Sequence, residues 1–178
     1  MIKYIQVIDL EFNILYAIQN LRADWLDFIM KFLSFLGNGG QIWIITGITM
    51  LFFKKYRKCG YAILLSLIFC LIFGNGILKN LIARERPCWM DESIRLIIDN
   101  PTDYSFPSGH TLSSFAASFS IFKYHKKLGI TALILASLIA FSRLYLFVHF
   151  PTDILGGICL GIVISYASTK IVNKNTAA

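Results

Sequence analysis

Two histidines, three basic residues and one aspartate recur at ordered spacings in an otherwise apolar chain. They form Lys79-x6-Arg86-Pro87, then Pro107-Ser108-Gly109-His110, then Ser142-Arg143-x5-His149-x3-Asp153. Ionisable side chains are costly in a bilayer, so those set among apolar segments are functional candidates by default. Two cation-rich stretches can grip a phosphate, and two histidines with a carboxylate can break its ester bond. Each residue also has an ordinary reading. A basic residue at a helix end can snorkel to lipid headgroups, Asp153 is a favourable charge at a helix N-terminus, and a lone histidine can simply sit at the interface. Those readings leave the His-x3-Asp pair beside an arginine unexplained.

Local structure sharpens the chemistry. Lys79 and Arg86 lie two helical turns apart and share a face if their helix continues to Pro87, whereas Arg84 falls on another face and reads as a headgroup contact. Pro107 suits a first helical turn, where its missing N–H costs nothing. Ser108, Gly109 and His110 then offer unpaired backbone N–H groups at a positive helix end, which makes an anion site. Pro151 starts another helix and disfavours helix at Phe150, which places Asp153 in the first turn within reach of the His149 ring. A carboxylate that fixes the tautomer of a histidine makes its other nitrogen a good nucleophile or base.

The elements that must position these residues are transmembrane helices. The chain of 178 residues is 56% hydrophobic and only 15% charged, against about 25% charged in soluble domains, and its mean hydropathy is +0.64. The predicted fold class is all-α: a polytopic six-transmembrane-helix bundle over 24–171, preceded by an amphipathic interfacial helix within 1–23, in one domain spanning 1–178. On that first helix Gln6, Asp9 and Asn13 share one face and Ile5, Ile8, Phe12 and Leu15 another. Asp9 and Glu11 interrupt the run where a cleavable signal would have its apolar core. The apolar segments are 24–37, 40–54, 59–82, 108–123, 128–147 and 152–171, the first weakened by Lys31. Gly157-x3-Gly161 has the spacing of close helix packing.

The net charge of +7 does not indicate nucleic acid, because the basic residues sit in short clusters between apolar segments: Lys54, Lys55, Arg57 and Lys58, then Lys123, Lys126 and Lys127, then Lys170 and Lys174. That is the positive-inside pattern. With six spans it places both termini in the cytoplasm and the polar motifs on the extracytoplasmic side of the plasma membrane. His125 reads as a solvated residue of a basic loop, and the outward stretch from Cys88 to Phe106 as a cover over the motifs. Of the four cysteines, Cys59, Cys70 and Cys159 read as apolar fillers and Cys88 as a loop thiol; no metal-ligand spacing is present.

The ordered set of motifs resembles the signature of the type 2 phosphatidic acid phosphatase family, membrane relatives of vanadium haloperoxidases and bacterial acid phosphatases. Every defining position is present between residues 79 and 153. The resemblance implies that Lys79, Arg86, Ser108, Gly109 and Arg143 hold the phosphate. It also implies that His149 attacks phosphorus to form a phosphohistidine, that Asp153 orients His149, and that His110 protonates the leaving oxygen, without metal or other cofactor. The partners expected are a membrane lipid phosphate and the bilayer itself. Undecaprenyl diphosphate, the cell-wall carrier, or phosphatidylglycerophosphate is the expected substrate; phosphatidic acid and diacylglycerol pyrophosphate are alternatives. A vanadate-dependent peroxidase and a non-catalytic lipid transporter are rival readings, the first opposed by the apolar helices and the second by the intact motifs.

Overall fold

The computed structural model describes residues 2–175, and among them the regular structure is entirely helical. Helix α1 (Ile2–Gln19) contains neither Gly nor Pro and lays one face on the rest of the chain. Leu15 is fully buried and Phe12 partly so, while Gln6, Asp9 and Asn13 are exposed, as the sequence pattern predicts. Tyr16 stacks on Phe147 at 5.9 Å, and Phe12 meets Phe150 edge-on at 5.3 Å.

Helices α2 (Asp24–Gly37) and α3 (Gln41–Leu51) correct the expected span count. Segments 24–37 and 40–54 were expected to cross separately. Instead they run in the same direction as one 28-residue stretch, kinked at Gly39 and Gly40, whose φ values are 57° and 70°. The contacts fix the direction. Asp27 accepts a hydrogen bond from Tyr145 (2.6 Å), and Ser34 from Arg143. Gly37 abuts His110, Trp43 donates to Ser114 (2.9 Å), and Gly47 packs on Ile63 and Leu64. The physical reason is length. At about 1.5 Å per residue, helices of 14 and 11 residues each fall short of the ~30 Å hydrocarbon layer, and only their sum crosses it.

The chain returns through α4 (Arg57–Phe69), a π-helical segment (Cys70–Leu78) and the short α5 (Lys79–Ile82). After a further short helix, α6 (Pro87–Met90), and a long loop, it passes through α7 (Gly109–Tyr124), α8 (Lys126–Tyr145) and α9 (Pro151–Asn175). Among the described residues the chain therefore runs the length of the bundle five times rather than six. Four of these passages are long and apolar enough to cross a membrane, and the 16-residue α7 is buried among them. The spaced glycines serve close packing as expected: a Cβ at Gly161 would lie 3.0 Å from the α7 backbone at Leu112 and Ala116.

Among the described residues α1 and the last turns of α9 lie at opposite ends of the bundle, where six passages would return them to one end. Helix α1 lies at the end of the bundle that carries Tyr145 and Phe150. At the opposite end Tyr124 donates to Asn173 of α9 (2.9 Å), and Tyr56 meets His125 ring to ring at 4.7 Å. His125 is thus packed rather than merely solvated, and all three basic clusters gather at that end. Cys88 is buried in α6, not free in a loop. In sealed vesicles of one orientation, single cysteines introduced as Asp9→Cys and Lys174→Cys, in a variant lacking the native thiols, should react with an impermeant maleimide from opposite faces. Labelling of both from one face would restore an even number of crossings.

Candidate active site

All three motifs meet at the end of the bundle where α1 lies, but not by the route expected. Helix α5 stops at Ile82, and Ala83 takes a left-handed φ of 48° as its C-cap. Lys79 and Arg86 therefore share no helical face; they converge because the chain turns back between them. The π-helical turn before Lys79 fits more residues per turn and so re-phases the helix. Both cations are buried, as is Arg143 near the end of α8.

Asp103, a residue without a motif, bridges the first two. Its carboxylate pairs with Lys79 and, at 2.7 Å, with Nη2 of Arg86, whose Nε also donates to the Asp103 carbonyl at 2.6 Å. Burial opposes ionisation of this half-exposed carboxyl, but the bond to Lys79 and the charges of Lys79 and Arg86 prevail and hold its pKa down to about 2. Asp103 thus pairs with the two cations as an anionic substrate would.

His149 follows the turn after α8 and is almost fully buried. Its Nε2 lies 3.1 Å from Nη1 of Arg86. A guanidinium can only donate, so Nε2 presents its lone pair and the ring proton resides on Nδ1. On that side Asp153 Oδ2 stands at 3.5 Å, an ion-pair distance rather than a direct hydrogen bond. The Ser105 hydroxyl bridges the gap, 2.5 Å from Asp153 Oδ2 and 3.4 Å from Nδ1. Burial, reinforced by Arg86, Arg143 and Lys79, lowers the His149 pKa well below 6.5 and keeps the ring neutral at neutral pH.

The second motif divides its labour. Ser108 is fully buried; its Oγ accepts hydrogen bonds from Thr111 as the N-cap of α7, and its N–H donates to the Asp153 carbonyl at 3.2 Å. The capping contact uses the hydroxyl only as an acceptor and leaves its proton uncommitted. Gly109 and His110 do line the cavity, and as the first residues of α7 their amides precede any intrahelical acceptor. Asn38, in the kink of the first crossing, lies 2.8 Å from His110 Nε2. Arg143 donates to Ser34, while its buried Nε has no partner among the described residues. Lys79, Arg86, Gly109, His110, Arg143 and His149 share one cavity of about 1420 Å³. Its wall continues between α2, α3 and α4 along apolar side chains that include Phe35, Ile44 and Leu67.

Arg84 also departs from its expected headgroup role: it is ion-paired with Asp153 at 2.7 Å and with Glu11 at 2.5 Å. Sequence reasoning missed Asp103, Ser105, Asn38, Ser34 and Glu11. For Glu11 a signal existed, since a carboxylate three residues after Ile8 and four before Leu15 sits on the apolar face of α1.

A family model described as the PAP2 superfamily matches residues 55–177. The chain belongs to the PAP2 superfamily. It is 35% identical to an undecaprenyl-diphosphatase of Sulfolobus acidocaldarius over 82% of this chain and 70% of that one. It is 31% identical to phosphatidylglycerophosphatase B of Bacillus subtilis over 82% and 75%. Among solved structures, a transmembrane PAP2 type phosphatidylglycerolphosphate phosphatase from Bacillus subtilis superposes with a TM-score of 0.77 at 28% identity, covering 95% of this chain and 87% of that one. LpxE of Aquifex aeolicus gives 0.74 at 27% identity, covering 90% and 95%.

Asp103 occupies Lys79 and Arg86, the cations expected to hold phosphate, so Asp103→Asn should tighten binding of inorganic phosphate and lower KM by roughly two- to fivefold, in keeping with about 0.5–1 kcal/mol for a half-exposed ion pair. Product-inhibition kinetics would read this, and an unchanged inhibition constant would show that Asp103 does not compete.

Proposed function

We propose that this PAP2 protein is an integral membrane lipid phosphatase that removes the terminal phosphate of undecaprenyl diphosphate. The observation that carries the reading is His149, whose unprotonated Nε2 meets Arg86 at the wall of a cavity shared with Lys79 and Arg143, while Ser105 and Asp153 back its Nδ1. The substrate choice is supported by similarity to the archaeal undecaprenyl-diphosphatase. Phosphatidylglycerophosphate is the second reading, favoured by the Bacillus subtilis structure that this fold matches along nearly its whole length.

In this mechanism the three cations and the Gly109 amide hold the non-bridging oxygens and stabilise the charge that shifts in the transition state. Nε2 of His149 attacks phosphorus in line. The N–P bond forms as the P–O bond breaks, and His110 gives its proton to the departing oxygen. Asp153, with Ser105, keeps the His149 proton on Nδ1 and balances the positive charge that builds on the ring. Water then attacks the phosphohistidine and releases phosphate. Cationic side chains supply the charge stabilisation that a metal ion provides elsewhere.

The basic clusters at the end away from the site favour a cytoplasmic position for that end by the positive-inside rule. The site then faces outward in the plasma membrane, with α1 beside it and the C-terminal end of α9 in the cytoplasm.

Phosphate release from a lipid panel by the purified protein tests the reaction. Undecaprenyl diphosphate should be the best substrate, turnover should survive EDTA, and His149→Ala should lower kcat by more than about a thousandfold. His110→Ala should cost about a hundredfold, most of all on poor leaving groups. Chelator-sensitive turnover, or an active His149→Ala protein, would refute the mechanism. The attacking ring must be neutral, and it is lost as a nucleophile only when pH falls through its lowered pKa. The acid limb of kcat/KM should therefore have its midpoint below 6.5, measurable as a pH–rate profile on a soluble phosphate ester.

A further inference from the structure

We propose that α1 is part of the catalytic apparatus: Glu11 acts through Arg84 as a positioning residue for Asp153 and hence for His149. The proposal rests on the covalent mechanism above and adds a group that lies outside all three motifs.

The geometry is a part-buried relay. Nη1 of Arg84 donates to Asp153 Oδ1 at 2.7 Å and to Thr152 Oγ1 at 2.6 Å, while Nη2 donates to Glu11 Oε2 at 2.5 Å. The other Glu11 oxygen, Oε1, accepts from the Thr152 backbone N–H at 3.0 Å and lies 2.6 Å from its hydroxyl. The guanidinium carbon also lies over the Phe150 ring at 4.2 Å. Glu11 is only 3% exposed, a rare condition for a carboxylate on a helix that otherwise rests on the surface of the bundle.

The two oxygens of Asp153 face different tasks. Oδ2 takes the Ser105 hydroxyl and the Phe150 N–H and confronts His149 Nδ1; Oδ1 takes Arg84. A bare guanidinium at Oδ1 would draw the carboxylate charge away from the ring and oppose the positive charge that develops as Nε2 bonds to phosphorus. Glu11 cancels that guanidinium charge, so Asp153 keeps its full effect on His149. Through the same helix, Phe12 and Tyr16 pack on Phe147, whose φ of 60° is unfavourable for a bulky residue and lies two positions before the nucleophile. Helix α1 thus supplies both a charge and a clamp to the loop that carries His149.

The test uses the full-length protein in detergent, wild type against Glu11→Gln, which keeps the shape and loses the charge, and Glu11→Asp, which keeps the charge. A phosphate-labelled lipid diphosphate is mixed rapidly and quenched in alkali to trap labelled histidine. For Glu11→Gln the burst amplitude per mole should match wild type, its rate should fall about tenfold, and KM should not move; Glu11→Asp should recover most of the rate. An unchanged burst rate overturns the proposal. So does a reduced amplitude at unchanged rate, which is the signature of partial misfolding. Wild-type protein that releases phosphate without labelled histidine would refute the covalent step alone. Glu11 is then judged by kcat in the same variants, a tenfold loss at constant KM supporting its role and no loss rejecting it. If Glu11→Gln fails to fold, Glu11→Asp beside Arg84→Lys, which keeps the charge but not the fork, carries the same comparison.

Discussion

Four buried or half-buried cations at the edge of an apolar bundle carry a high desolvation cost, and three of them offset it with carboxylate partners. Lys79 and Arg86 find Asp103, and Arg84 finds Glu11 and Asp153. Among the described residues Arg143 has the Ser34 hydroxyl as its side-chain partner and an orphaned Nε. This pairing dictates the architecture around it. The loop after α6 must fold back to deliver Asp103 and Ser105, and α1 must dock to deliver Glu11. The crossing formed by α2 and α3 must bend where it does to bring Asn38 beside His110.

The backbone meets these demands with local departures from ideal helix. A π-helical stretch sets the phase of Lys79, a left-handed Ala83 ends α5 so that Arg86 can return, and Gly39 and Gly40 bend the first crossing without reversing it. Each departure lies within a few residues of a group that faces the cavity or of one that holds such a group. Around them the packing is regular and close, with Gly157 and Gly161 letting α9 approach the backbone of α7.

The motifs themselves were legible because their internal spacings encode chemistry: His149 and Asp153 meet through one turn of chain, and Pro151 opens α9 as expected, whereas Pro107 stands just before the Ser108 cap of α7 rather than in its first turn. What the linear pattern hides is phase and direction. A Gly-Gly pair reads equally well as a reversal or as a kink, and the difference changes the number of crossings and the side on which the chain begins. Lys79 and Arg86 looked cofacial only on the assumption of unbroken helix. Ser108 carries a second task that its motif does not announce, since its hydroxyl also accepts from Thr111 as the cap of α7. Asp103 was unreadable, since a carboxylate that neutralises distant cations obeys no spacing rule. Arg84 was misread for the related reason that its partners come from residues 11 and 153.

The kinked first crossing leaves the cavity continuous with an apolar flank between α2, α3 and α4, where Phe32, Phe35, Ile44, Leu64 and Leu67 border it. A molecule reaching the cations along that flank arrives sideways from the hydrocarbon layer rather than down from the water. Its supply is then governed by abundance per unit area of leaflet and by two-dimensional diffusion. Saturation of such a protein is a property of lipid mole fraction, and diluting the vesicles in buffer would leave it untouched.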